Sequence, residues 1–189
     1  MSAGAVREED AFDVARVNAW LREHGDPEVV GALEGEPQVR QFDSGASNLT
    51  YELRWPTRAL VLRRPPHGAL GGRAHNMHRE HDLQAALHPV FPHVPRMVGL
   101  CTDPEVLGSD FYVMDKLEGT ILGRDLPDGV TLTPEQATTL CEAALATLVD
   151  LHEVDVTAVP QLAALDRGDG YVHRQVEGWS SRYRAAATD

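Results

Sequence analysis

Residues 38–63 read QVRQFDSGASNLTYELRWPTRALVLR, and the alternation inside this stretch decides the fold. Gln38 to Phe42, Thr50 to Trp55 and Ala59 to Arg63 read as strands, and Pro56 and Thr57 supply the turn between the last two. The spacing predicts an antiparallel meander. Working outward, His75 to Leu87 has helical character and is closed by Pro89, and two further strands are predicted at Arg96 to Cys101 and Phe111 to Lys116, flanking the loop TDPEVLGSD. Upstream, Val14, Val17 and Leu21 recur at intervals of three and four, which predicts an opening helix from Asp10 to His24 ended by Gly25, Asp26 and Pro27. Beyond Lys116 strand signals cease. Thr133, Pro134 and Gln136 form a capping-box sequence, and Ala137, Leu140, Cys141, Ala144, Leu145, Leu148 and Leu151 trace one apolar stripe behind it. A last helix is predicted from about Tyr171 to Ala186. About five antiparallel strands with one internal helix, followed only by helices, make an α+β chain. Its expected parts are a helical segment over 1–35, a sheet-bearing region over 36–117 and a helical region over 118–189.

Composition limits the function classes. Of 189 residues, 42% are hydrophobic and 24% charged, which suits a soluble globular protein. Asp and Glu number 29 against 17 Lys and Arg, a formal charge of -12, so a nucleic-acid backbone would meet a repulsive average surface. No nucleic-acid partner is expected. No run of apolar residues approaches the ~18–20 a spanning helix needs, and the acidic start MSAGAVREEDAFD lacks a signal region. The expectation is a cytoplasmic protein without a membrane partner. Cys101 and Cys141 show no paired-motif spacing and read as small core residues. Among the 17 basic residues only Lys116 is a lysine.

Three separated features interlock. The loop Phe42 to Thr50 is rich in small and polar residues, so its backbone N–H groups can approach an anion while Ser47 and Asn48 offer side-chain donors, although a hairpin turn with polar tips reads the same way. Arg63 ends the run ALVLR, where alternation sets Ala59, Val61 and Arg63 on one face and Leu60 and Leu62 on the other. A cation is thus aimed past a small apolar floor, unless it merely faces solvent at a strand end. Glu80 falls on the helical stripe of Leu83, Gln84 and Leu87 that should face the sheet, where a carboxylate needs a cation unless it lies at the solvated rim. Arg63 is the nearest candidate.

The blocks FDSGASNLTYEL, LVLRRPP, HREHDLQAAL and FYVMDKLEGT, then a helix ending LVDLHEVD, resemble in that order the N-terminal portion of the aminoglycoside phosphotransferase family, from about Phe42 to the C-terminus. The resemblance implies a protein-kinase-like N-lobe followed by the helical start of a C-lobe. It implies that Ser44, Gly45, Ser47 and Asn48 belong to the loop covering a nucleotide and that Val61 and Arg63 stand where these kinases place the nucleotide floor and the phosphate-binding lysine. Glu80 is then the helix partner of that cation, and Met114, Asp115, Lys116 and Leu117 form the hinge whose backbone meets adenine. The implied cofactors are ATP and magnesium, and the implied partner is a small hydroxyl-bearing substrate. VLRRPP, with arginine in place of lysine, looks like the subgroup related to kinase domains fused to acyl-CoA dehydrogenases, which adds hydroxyacyl-CoA to the candidate acceptors. Arginine keeps the charge and suits paired oxygens, so binding should survive the exchange.

The family's catalytic loop HGDxxxxN and its later metal-binding aspartate are not found after the hinge, so the resemblance assigns no catalytic and no metal residue here, and the sequence is expected to stop before its catalytic half. The run His24-Gly25-Asp26 precedes the nucleotide loop, with Gly31 where the asparagine would stand, and reads as a decoy. His152 to Asp155 reads as a helix end. His75, His78 and His81 recur by three, which offers at best part of a zinc site on a solvated helix face. There is no GxSxG elbow, and the glycines from Gly68 to Gly72 lack dinucleotide-loop spacing. Two readings remain: part of an ATP-dependent phosphotransferase, or a non-catalytic nucleotide-binding or interaction module. With the rest of the C-lobe missing, the apolar side of the helix from Thr133 to His152 is expected to be exposed.

Overall fold

The structure is a computed structural model that describes residues 3–42, 48–67, 76–122, 126–127, 129–165 and 168–186. Six strands form one antiparallel sheet: β1 (Ala3–Gly4), β2 (Gln38–Phe42), β3 (Leu49–Arg54), β4 (Ala59–Arg64), β5 (Met97–Cys101) and β6 (Phe111–Asp115), in the order β1-β2-β3-β4-β6-β5. Five of these match the expected strands to within a residue or two at each end. The sixth, β1, pairs two residues with Phe42 and Gln41. The helices of this part are α1 (Val14–His24), α2 (Pro27–Val30), α3 (Met77–Leu87), α4 (Pro104–Leu107) and α5 (Pro134–His152).

Alternation builds the core on one face of the sheet. Tyr51, Leu53, Leu60, Leu62 and Val113 point to that face and pack with Val17 and Leu21 of α1 and Val29 and Val30 of α2. Each large apolar side chain buried there contributes about 1.5–3 kcal/mol. α1 begins at Val14 and not at Asp10, because Asp13 caps it by accepting from the Arg16 N–H. Asp10 instead closes a 3₁₀ turn and is buried. Its carboxylate accepts from Arg7 and Gln41, each at 2.7 Å, and its carbonyl accepts from the Tyr51 hydroxyl at 2.9 Å, which ties the N-terminal segment to the sheet.

The His24-Gly25-Asp26 run is a structural corner. The Gly25 N–H closes α1 on the Leu21 carbonyl, and Asp26 caps α2 by accepting from the Glu28 N–H while its other oxygen meets Arg96. A Cβ on Gly25 would lie 2.5 Å from the Leu21 carbonyl oxygen and 2.7 Å from Val30 Cγ1. Gly25→Ala is therefore expected to cost about 1–3 kcal/mol by overpacking, read as a lowered urea midpoint. An unchanged midpoint would show that the corner relaxes freely.

On the opposite face α3 crosses β5 and β6. It starts at Met77, with Asn76 as its cap. Its sheet-facing side carries Met77, Glu80, Gln84 and Leu87, whereas Leu83, expected on that stripe, is 37% exposed. α5 has the predicted capping box, with Thr133 and Gln136 each bonding the other's backbone, and no residue of it is buried. Leu140, Leu145 and Leu148 of its apolar stripe are exposed, and so is Cys141, which was expected in a core.

The chain divides into two compact units, Met1–Val154 and Asp155–Asp189. The second contains α6 (Pro160–Ala163) and α7 (Tyr171–Ala186), the latter at its predicted position. Leu162 is buried, and the Arg182 guanidinium stacks 4.1 Å from the centroid of Trp179. No helix among the described residues is long and apolar enough to cross a membrane.

Candidate functional site

Registered strand pairing lines up side chains in rows on the face opposite the core. One row runs Arg40, Glu52, Val61, Met114 and Met97 across β2, β3, β4, β6 and β5. Part of it borders a cavity of about 620 Å³, whose wall includes Glu52, Val61, Met114, Asp115, Lys116 and Leu117. The floor is Val61 and Met114, apolar and flat. Glu52 is an unusual member, a buried carboxylate with side-chain exposure of 3%. Lys116 Nζ lies 3.0 Å from Glu52 Oε1, and the Arg54 guanidinium contacts the same oxygen. Burial pushes the Glu52 carboxyl up, but the hydrogen bonds and charges of Lys116 and Arg54 outweigh it and hold the group below the usual carboxylate range.

The run after β6 edges this cavity with backbone. The Asp115 N–H donates to the Arg96 carbonyl at 2.9 Å and the Lys116 N–H to the Ala59 carbonyl at 3.4 Å. The Leu117 N–H takes no acceptor among the described residues. The Asp115 carboxylate is turned away and accepts from Arg58 at 2.6 Å. One backbone donor is thus left on the rim.

The next row along the strands holds Thr50, Arg63, Tyr112 and Leu100. Here α3 brings Glu80 over the sheet, and Arg63 Nη1 stands 3.7 Å from Glu80 Oε2, with both side chains 31% exposed. The carboxylate is held from two sides: Asn48 Nδ2 donates to Oε1 at 3.1 Å and the Tyr112 hydroxyl to Oε2 at 3.0 Å. Gln84 Nε2 donates to the Tyr112 oxygen at 3.3 Å. Burial pushes the Tyr112 phenol up, which keeps it a donor. The Arg63 guanidinium makes no hydrogen bond with the described residues, and its Nε is buried without an acceptor. A confined guanidinium with uncommitted donors is a place for an oxyanion.

Of the residues expected at a site, Val61, Met114, Asp115 and Leu117 border the cavity, and Arg63 and Glu80 form an ion pair in the adjoining row. Asn48 is buried and turns its amide to Glu80. Ser44, Gly45 and Ser47 lie outside the described residues, as does His75. His78 pairs with Asp110 at 3.4 Å and His81 with Asp82 at 2.9 Å. Glu52 and Tyr112 were not foreseen, Lys116 was expected only as part of the hinge and Gln84 only as part of the sheet-facing stripe, so the side-chain contacts of all four are new. Strand parity could have found two of them, since Glu52 shares a face with Thr50, and Tyr112 shares one with Met114.

The chain is similar to known proteins over most of its length. The human and chicken proteins named acyl-CoA dehydrogenase family member 11 are 34% and 38% identical to the chain over 99% and 96% of its length, and the match covers 24% and 23% of theirs. An Arabidopsis thaliana protein named as a probable acyl-CoA dehydrogenase, IBR3, is 35% identical over 80% of the chain and 19% of its own length. The chain therefore spans about a quarter or less of these relatives. A crystal structure from Ralstonia eutropha JMP134, provisionally described as an aminoglycoside phosphotransferase, superposes with a TM-score of 0.72 at 28% identity, covering 95% of this chain and 49% of that one. Strands β2 to β6, the α3 crossing and the row that carries Arg63 all fall within residues 38–189, the span matched by the sequence profile of the phosphotransferase enzyme family, and the chain belongs to that family.

Proposed function

We propose that these residues form the nucleotide-binding part of an ATP-dependent small-molecule kinase, which passes the γ-phosphoryl group of ATP to a substrate hydroxyl. The observation that carries this is Arg63: a half-buried guanidinium with no hydrogen bond to the described residues, backed by Glu80 and one row along the strands from a cavity with an apolar floor and a free backbone donor at Leu117. An adenine ring fits against Val61 and Met114 with the Leu117 N–H on its edge, and the phosphates then run toward Arg63. The planar fork meets two phosphate oxygens at once, a geometry that lysine in the same place would not offer.

ATP supplies the transferable phosphoryl group, and magnesium would neutralise its oxygens. No group of three or more His, Cys, Asp or Glu side chains comes together among the described residues, so no residue of this chain is assigned to the metal. Transfer also needs the aspartate and asparagine of an HGDxxxxN loop, which these 189 residues do not provide after the hinge. The second reading is a module that binds nucleotide without transferring phosphate. Among hydroxyl acceptors, hydroxyacyl-CoA is placed first, because the relatives carry acyl-CoA in their names.

The test is titration of the 189-residue chain with magnesium-ATP, followed by calorimetry and thermal shift. Saturable binding is expected with a small shift, about 1.4 kcal/mol of stabilisation at a tenfold excess over Kd. No heat and no shift at millimolar ATP would overturn both readings.

A further inference from the structure

We propose that Tyr112, with Asn48 opposite it, is a positioning residue that keeps Glu80 from closing onto Arg63, so that Glu80 balances the charge of the guanidinium without occupying its donors. This rests on the reading of Arg63 as the phosphate-binding cation. A carboxylate free to approach an arginine forms a fork of two parallel bonds at about 2.7–2.9 Å, which would occupy two of the five guanidinium donors. Here the Arg63–Glu80 contact stops at 3.7 Å, beyond hydrogen-bond reach.

The reason lies in what Glu80 already accepts. Oε1 takes the Asn48 amide at 3.1 Å and Oε2 the Tyr112 hydroxyl at 3.0 Å. The direction of the second bond is fixed by Gln84. Its Nε2 donates to the Tyr112 oxygen at 3.3 Å and also to the Glu80 carbonyl at 3.1 Å. An amide nitrogen cannot accept, so the one proton of the Tyr112 hydroxyl goes to Glu80. Tyr112 is fully buried and pairs in register with Arg63, and it cannot swing away. Coulomb attraction falls only inversely with distance, so most of the charge balance survives at 3.7 Å while the hydrogen bond does not form. The N–H fork stays available to an anion.

The experiment compares the wild-type chain with Tyr112→Phe, which keeps the ring and removes the donor. Three readouts are used: ATP affinity, adenosine affinity, and the Arg63 Nε–H resonance in nucleotide-free protein. Tyr112→Phe is expected to weaken ATP about tenfold, as Glu80 turns into the fork, to leave adenosine unchanged, and to shift the Arg63 resonance toward that of a paired guanidinium. Gln84→Met, of similar volume, should act in the same direction more weakly and serves if Tyr112→Phe fails to fold. Equal loss for ATP and adenosine would mark Tyr112 as merely structural and overturn the proposal, as would an unmoved Arg63 resonance. If wild-type protein binds neither ligand, the nucleotide reading fails, while the resonance still decides whether Tyr112 holds Glu80 off Arg63.

Discussion

Arg63→Ala lowers the affinity for magnesium-ATP by about a hundredfold or more while adenosine binding and the unfolding midpoint stay near wild type. Two charge-assisted hydrogen bonds to phosphate contribute about 1.5–3 kcal/mol each, and each 1.4 kcal/mol is a factor of ten. Little stability is lost, because the Arg63 side chain has no hydrogen bond among the described residues and Val61 continues to form the floor. Glu80→Ala should be nearly as damaging, since it strips the acceptor from both Asn48 and Tyr112 and leaves the guanidinium charge unbalanced. In a catalytically complete enzyme carrying these residues, turnover would fall by orders of magnitude in either variant. Calorimetric titration decides the matter: a wild-type ATP isotherm for Arg63→Ala would remove its assignment.

Lys116→Met is the second large effect, and it acts on the fold. Glu52 is buried, and its carboxylate relies on Lys116 and on the half-exposed Arg54. Breaking a buried ion pair costs about 3–5 kcal/mol when no partner remains, and with Arg54 retained a loss of about 2–3 kcal/mol is expected at pH 7. The sign with pH follows from the direction of the shift. The folded-state pKa of Glu52 is held below its unfolded value, so the stabilisation is complete above the unfolded value near pH ~4.3 and is lost as pH falls through the folded one. Without Lys116, burial raises the carboxyl, and a protonated Glu52 no longer needs the cation. The gap between wild type and Lys116→Met should therefore be wide at pH 7 and narrow below about pH 4. Urea unfolding at two pH values measures it; a gap of the same size at both would show that Lys116 acts by packing alone.

Much of the fold was legible because its segments are long enough to show a period. Leu60 and Leu62 facing the core while Val61 and Arg63 face the cleft is the alternation written in ALVLRR, and the capping box of α5 stands at Thr133 and Gln136 as its spacing required. What escaped was short or dependent on distant partners. Two residues cannot display a strand period, so β1 was invisible. Four residues cannot display a helical one, although Asp26-Pro27 and Asp103-Pro104, each a cap followed by proline, carried the signal for α2 and α4. Leu83, Gln84 and Leu87 were expected together on the sheet-facing stripe, yet Leu83 is exposed while Gln84 is turned inward to reach Tyr112. The Arg63–Glu80 pairing followed from topology and charge compensation. Glu52 could not be found that way, because its burial depends on a lysine that returns from beyond β6.

The rarity of that amine has a consequence of its own. Acylating reagents, aldehydes and ε-amino modifying enzymes meet a single lysine in this sequence, and it sits on the wall of the cleft with its nitrogen already engaged. A polypeptide with arginine at all its other Lys/Arg positions has confined its lysine chemistry to one spot, where a label on that ε-amine would report on the cleft.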